Sequence, residues 1–166
     1  CRRSILLCIL LSFSSQLCFA QLSMINVYKH ILPTSLFIHY EETLLDDPQL
    51  EPNVENALWY ELGKNHLARE HYEKALNYFQ MAALHPISED ISTDISKKII
   101  RLKEVIFGEH LSRAIYFLEN DNPTQTIKIL YPYLDRHSYK VYLILGKAYA
   151  MNNDPQKALI FFKLAL

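Results

Sequence analysis

Apolar residues recur along most of this chain at alternating steps of three and four, the spacing that lines one face of an α-helix. Residues 88–106 show it most plainly, because Ile91, Ile95, Ile99, Leu102 and Ile106 form a single row, with Ser88 placed to cap the start. Nearer the N-terminus, Met24, Tyr28 and Ile31, then Leu36, Phe37, Tyr40 and Leu44, predict two short helices parted at Pro33, with Thr34 or Ser35 available to cap the second. The run Asp46-Asp47-Pro48-Gln49-Leu50-Glu51-Pro52 breaks the pattern and reads as a linker. Residues 21–52 are therefore expected to form a helical cap and linker ahead of the main body, with 21–45 as part of an incomplete preceding repeat as the alternative.

The first 20 residues follow a different rule. Arg2 and Arg3 precede an apolar stretch from Ile5 to Phe13, then the polar Ser14-Ser15-Gln16, then Cys18 and Ala20 around a cleavage point. That order matches a secretory signal peptide over 1–20. The stretch is shorter than the ~20 apolar residues a membrane span requires and is interrupted by serines. Cleavage after Ala20 is the first reading, with an uncleaved anchor and a helix of the folded domain as alternatives. All three cysteines, Cys1, Cys8 and Cys18, lie here, so a cleaved chain has no disulfide. Leu7 and Leu17 stand where a lipid-modification site would want a small residue.

Residues 53–166 repeat. Placed 32 residues apart, Leu111 meets Leu143, Ala114 meets Gly146, Phe117 meets Tyr149, Asn120 meets Asn152, Pro123 meets Pro155, Ile127 meets Leu159 and Leu134 meets Leu166. An earlier copy supplies Trp59, Leu62, Gly63, Ala75, Phe79 and Ala82, at the offsets that Tyr142, Leu145, Gly146, Ala158, Phe162 and Ala165 occupy in the last. The copies span 56–86, 107–135 and 139–166, with 88–106 inserted as an additional helix. In the middle copy Pro132 should bend or end the second helix.

These residues resemble the tetratricopeptide repeat, whose signature is W-x2-L-G-x2-Y followed by A-x3-F, A and P. Small residues at facing positions let two antiparallel helices approach while aromatics and leucines fill the remaining space. Departures are His66 for the aromatic Tyr, Glu70 and His71 at the usual Gly turn, and, in the middle copy, His110, Arg113 and Thr126 at motif positions. The resemblance implies an all-α fold: an α-solenoid of antiparallel helix pairs in a right-handed superhelix, here with one inserted helix. It further implies repeats continuing beyond Leu166.

In this family the first helices line a concave groove that holds a peptide or a partner helix. Carried over by position, the groove residues are Tyr60, Lys64 and Leu67 in the first copy, Leu111, Ile115 and Leu118 in the middle one, and Lys140, Leu143, Lys147 and Met151 in the last. The lining is mixed apolar and basic and suits a protein partner with apolar anchors and some negative charge. Members that bind chaperone tails use Lys and Asn where Tyr60 and Lys64 stand here, so that clamp is not carried over.

Composition narrows the picture. The chain has 166 residues, 17 basic against 18 acidic, and three glycines. Removing Arg2 and Arg3 leaves 15 basic residues against those 18 acidic ones, so nothing favours a nucleic-acid partner. Lys97, Lys98, Arg101 and Lys103, the only basic cluster, read as the wet face of the inserted helix. Seven histidines invite a metal reading, but no H-x3-H or HExxH occurs, and His66 and His71, five apart, fall off a common helix face. G-x-S-x-G, P-loop and G-x-G-x-x-G motifs are absent. The expectation is a non-catalytic interaction module without cofactor, metal or small-molecule substrate, exported to the periplasm or cell envelope, with membrane proximity only through an uncleaved N-terminus. The alternative is a helper domain of a larger envelope enzyme or secretion or polymer-synthesis system whose catalytic part lies outside this sequence.

Overall fold

In a computed structural model, residues 23, 25–29, 32, 34–85 and 88–166 are described, and all regular structure among them is helical. The signal-peptide reading, with Met24, Ile31, Pro33 and Pro86, lies outside these residues. Among the described residues no helix is long and apolar enough to cross a membrane. The elements are α1 (Thr34–Leu44), α2 (Pro52–Leu67), α3 (Tyr72–Leu84), α4 (Glu89–Glu119), α5 (Pro123–Leu130), a 3₁₀ helix (Tyr131–Arg136), α6 (Tyr139–Met151) and α7 (Pro155–Leu164). The chain divides into two compact units, Cys1–Lys103 and Glu104–Leu166.

Local chemistry sets most helix starts. Pro52, Pro123 and Pro155 stand in the first turns of α2, α5 and α7, where a missing N–H costs nothing. Asn122 and Asp154 cap α5 and α7, accepting from Gln125 N–H at 3.3 Å and Lys157 N–H at 3.1 Å. Ser88 Oγ accepts from Ile91 N–H at 3.3 Å ahead of α4. Before α2, Asp47 accepts from Gln49 N–H at 2.9 Å, a side-chain turn that closes the expected linker. α5 ends at Leu130, and the chain tightens into the 3₁₀ helix around Pro132.

The same reversal is built three times. Glu70, Asp121 and Asn153 adopt left-handed φ values of 60°, 55° and 58°. The next residue then donates back to the carbonyl five positions earlier: His71 to His66 at 3.0 Å, Asn122 to Phe117 at 2.8 Å and Asp154 to Tyr149 at 2.9 Å. This closes the preceding helix as a glycine C-cap would, but with no glycine present.

The helix pairs joined by the first and last of these turns also share their interior. Trp59 meets Tyr78 with centroids 5.7 Å apart, and 83 residues on Tyr142 meets Phe161 at 6.4 Å. His66 stacks on Tyr78 at 5.1 Å as Tyr149 stacks on Phe161 at 5.3 Å. A Cβ on Gly63 would lie 2.8 Å from Phe79, and one on Gly146 2.6 Å from Phe162, so both positions exclude a side chain. In the middle copy Ala114 and Leu130 replace the Gly and Phe, a larger residue against a smaller one, and both are fully buried. Thr126, at the small-residue position, is also fully buried and donates its hydroxyl to Ala114 O at 3.0 Å.

Three buried clusters result. In the first unit, Ile25 and Phe37 join Val54 and Leu58, tying the leading segment to α2. Ala75, Phe79 and Ala82 pack with Ile95 and Leu102, so the N-terminal part of α4 covers the α2–α3 pair. In the second unit, Ala114 and Leu130 join Val141, Tyr142, Ile144, Leu145, Tyr149, Ala158 and Phe161. One expected boundary is absent: the inserted helix and the first helix of the middle copy are a single 31-residue helix, α4. No Pro interrupts it, and Gly108, alone mid-helix, has no Cβ neighbour within 4 Å to force a bend.

Candidate partner-binding surface

Each unit carries its own set of candidate groove residues. In the first, Tyr60, Lys64 and Leu67 lie on α2 and are half-buried. The Tyr60 hydroxyl donates to Asp94 at 2.7 Å, its ring meets Phe79 at 6.0 Å, and Lys64 sits 5.2 Å above it. Burial and then the Asp94 carboxylate push the Tyr60 hydroxyl up to about 12. Asp94 is held below its ordinary range by hydrogen bonds from Lys98 and Tyr60. Lys64 also donates to Glu61 at 2.8 Å, and Glu61 accepts from Lys29 at 3.1 Å. Burial works to raise the Glu61 carboxyl, but these two ammonium groups outweigh it and leave it lowered. Leu67 packs against the cluster around Phe79.

In the second unit, Leu111 and Leu118 pack on the buried cluster, while Ile115 is exposed. Lys140, Leu143, Lys147 and Met151 are all exposed on α6. Their steps of three, four and four place them in one row along the helix, two cations alternating with two apolar side chains. Of the ten nominated positions, this row and Ile115 are the most open to solvent. On the N-terminal part of α4, Lys97, Arg101 and Lys103 are exposed and Lys98 pairs with Asp94 at 2.7 Å.

Some clustering was not visible in the repeat pattern. His66 Nδ1 lies 3.4 Å from His71 Nδ1, because His71 sits beyond the helix end where the left-handed turn folds it back. A helix-face argument does not apply to that pair. Glu42 of α1 accepts from Tyr78 at 2.9 Å and faces His66 Nε2 at 3.4 Å. Burial lowers the His66 pKa, with Glu42 offsetting part of the effect. Its neighbour Glu41 is fully buried, accepts from Asn65 at 2.8 Å on one oxygen and has no partner on the other. Burial raises the Glu41 pKa to about 7. The preceding α1 lies outside the repeated copies, so no offset pointed to either carboxylate. Among the described residues, no group of three or more His, Cys, Asp or Glu is arranged to hold a metal ion.

The chain matches no model of a known protein family, and no curated protein matches it in sequence.

Proposed function

We propose that this chain is a non-catalytic scaffold, a solenoid of tetratricopeptide-like helix pairs that holds a peptide or helix of a partner protein against its first helices. The observation that carries this reading is the exposed row Lys140, Leu143, Lys147 and Met151 on α6. Apolar side chains open to water at fixed spacing cost solvation, and lysines between them suit a partner with apolar anchors and carboxylates. The recurrence of one turn geometry and one Gly–Phe joint supports the repeat reading on which the groove positions rest.

A photoreactive residue in place of Met151, in cells that make the protein, is expected to trap a partner that the same residue at Gln156 does not. With that partner purified, Lys140→Glu together with Lys147→Glu should weaken binding by about tenfold or more without lowering Tm. Equal trapping at both positions would refute the reading. The proposed setting is the cell envelope, with 1–20 removed on export. Fractionation followed by N-terminal sequencing should find Gln21 first, and a start still holding Arg2 and Arg3 would count against cleavage.

A further inference from the structure

The turn between α2 and α3 brings two imidazoles together in the first unit. His66, in the last turn of α2, is only 4% exposed, whereas His71, just ahead of α3, is open to solvent. Glu70 holds a φ of 60°, and the His71 N–H donates to His66 O at 3.0 Å, so the backbone itself sets the spacing of the pair. Their Nδ1 atoms stand 3.4 Å apart. That is long for a hydrogen bond. It matches two nitrogens sharing one tetrahedral ion, since ligands about 2 Å from the metal lie about 3.3 Å from each other.

The second ring nitrogen of His66 is already engaged. Nε2 faces the Glu42 carboxylate at 3.4 Å, and Glu42 accepts from the Tyr78 hydroxyl at 2.9 Å. The Tyr78 ring also stacks on the imidazole, with centroids 5.1 Å apart. A proton on Nε2, turned toward Glu42, leaves the His66 lone pair on Nδ1, on the side of His71. A carboxylate behind the distal nitrogen is the arrangement that orients metal-ligating histidines.

We propose that His66 and His71 together bind one divalent transition-metal ion of the zinc class through their Nδ1 atoms, with Glu42 as the positioning residue behind His66. The ion takes the place of the proton between the two nitrogens. Without it, His71 carries its proton on Nδ1 and donates to His66; with it, that proton sits on Nε2. Imidazole suits zinc, copper and nickel, whereas magnesium and calcium require oxygen ligands. Two protein ligands leave the remaining positions to water, which reaches the ion from the exposed side of His71. The site departs from the sequence expectation of a chain without metal, which rested on helix-face spacing; the left-handed Glu70 returns His71 to His66 despite that spacing. It lies apart from the row on α6 proposed above and stands or falls separately.

The probe is Zn²⁺, titrated by calorimetry into the purified chain without an affinity tag. One ion per chain is expected to bind and to raise Tm, while Mg²⁺ and Ca²⁺ leave Tm where it was. His71→Ala, at an exposed position, should weaken binding by about tenfold or more and abolish the rise; its melting in the presence of a chelator verifies the fold. Glu42→Gln keeps an acceptor for Tyr78 but removes the charge behind His66, and should weaken binding by about tenfold. His39→Ala and His85→Ala, which remove other exposed imidazoles, should bind as the parent does. Nitrogen resonances of the imidazoles report the geometry: Zn²⁺ should shift Nδ1 of both His66 and His71 and leave both Nε2 atoms protonated. The proposal is overturned by the absence of a one-to-one site, by affinity unchanged in His71→Ala, or by coordination through Nε2. A loss in His39→Ala or His85→Ala as large as in His71→Ala also overturns it, since binding would then be spread over surface histidines. Binding indifferent to Glu42→Gln refutes the positioning role.

Discussion

Phe79 and Phe162 face their glycines at nearly the same distance but differ in the room they have to retreat. Phe79 is fully buried within the cluster that the N-terminal part of α4 covers, whereas Phe162 is only partly buried. Gly63→Ala must push a ring that has nowhere to go and should cost about 1–3 kcal/mol. Gly146→Ala lets the ring swing toward solvent and should cost less than half as much. Denaturant midpoints of the two variants test the ranking, and equal losses would contradict it. Both glycines were legible from their offsets alone. The exchange of Gly and Phe for Ala114 and Leu130 was less so, because a helix pair conserves the summed volume of two residues that lie 16 positions apart. His66, where the last copy has the aromatic Tyr149, reads as a defect on paper, yet the imidazole stacks on Tyr78 as Tyr149 does on Phe161.

At the scale of elements, periodicity and punctuation placed the stop before Pro132 and the row of isoleucines in α4, whereas the Asn122–Pro123 and Asp154–Pro155 starts of α5 and α7 emerge from the structure. The misplaced feature is the break near residue 107. Two amphipathic stretches each look like a complete helix, and nothing in their apolar spacing says whether the backbone between them bends. Continuity is decided by the absence of a breaker, and Gly108 alone is too weak a one. That glycine is exposed in the interior of α4 with open space where its Cβ would be. Gly108→Ala should therefore stabilise the chain by about 0.5–1 kcal/mol through helix propensity. A raised denaturant midpoint with unchanged slope checks this, and a loss of stability would show that α4 needs its glycine.

For the molecule as a whole, the dependence of stability on pH should carry the mark of Glu41. Its carboxyl rises from 4.5 to about 7 in the fold, first because of burial. Below pH 4.5 both folded and unfolded chains hold this proton. Between 4.5 and about 7 the unfolded chain releases it while the folded one keeps it, so stability falls as pH rises and levels off above 7. At about 1.4 kcal/mol per pH unit the loss is about 3 kcal/mol. Glu41→Gln removes this slope, so its Tm relative to the parent should be higher at pH 8 than at pH 4, and the opposite order would refute the assignment. Glu41 was invisible in the pattern because its environment comes from α2 and the leading segment, not from its own neighbours in sequence. The groove positions were nominated through the resemblance, and only side-chain placement distinguishes Tyr60, tied to Asp94, from Lys140 and Met151, which face solvent.

The tight joint between paired helices bears on how the protein moves. With the Phe79 ring close against the chain at Gly63 and no room to retreat, sliding or rolling α3 on α2 drives that ring into the backbone, whereas Phe162 can swing aside from Gly146. The α2–α3 pair is thus expected to be the stiffer of the two. In the proposed function, accommodation of a partner at the α6 row would fall to the rotamers of exposed side chains such as Met151 and Lys147.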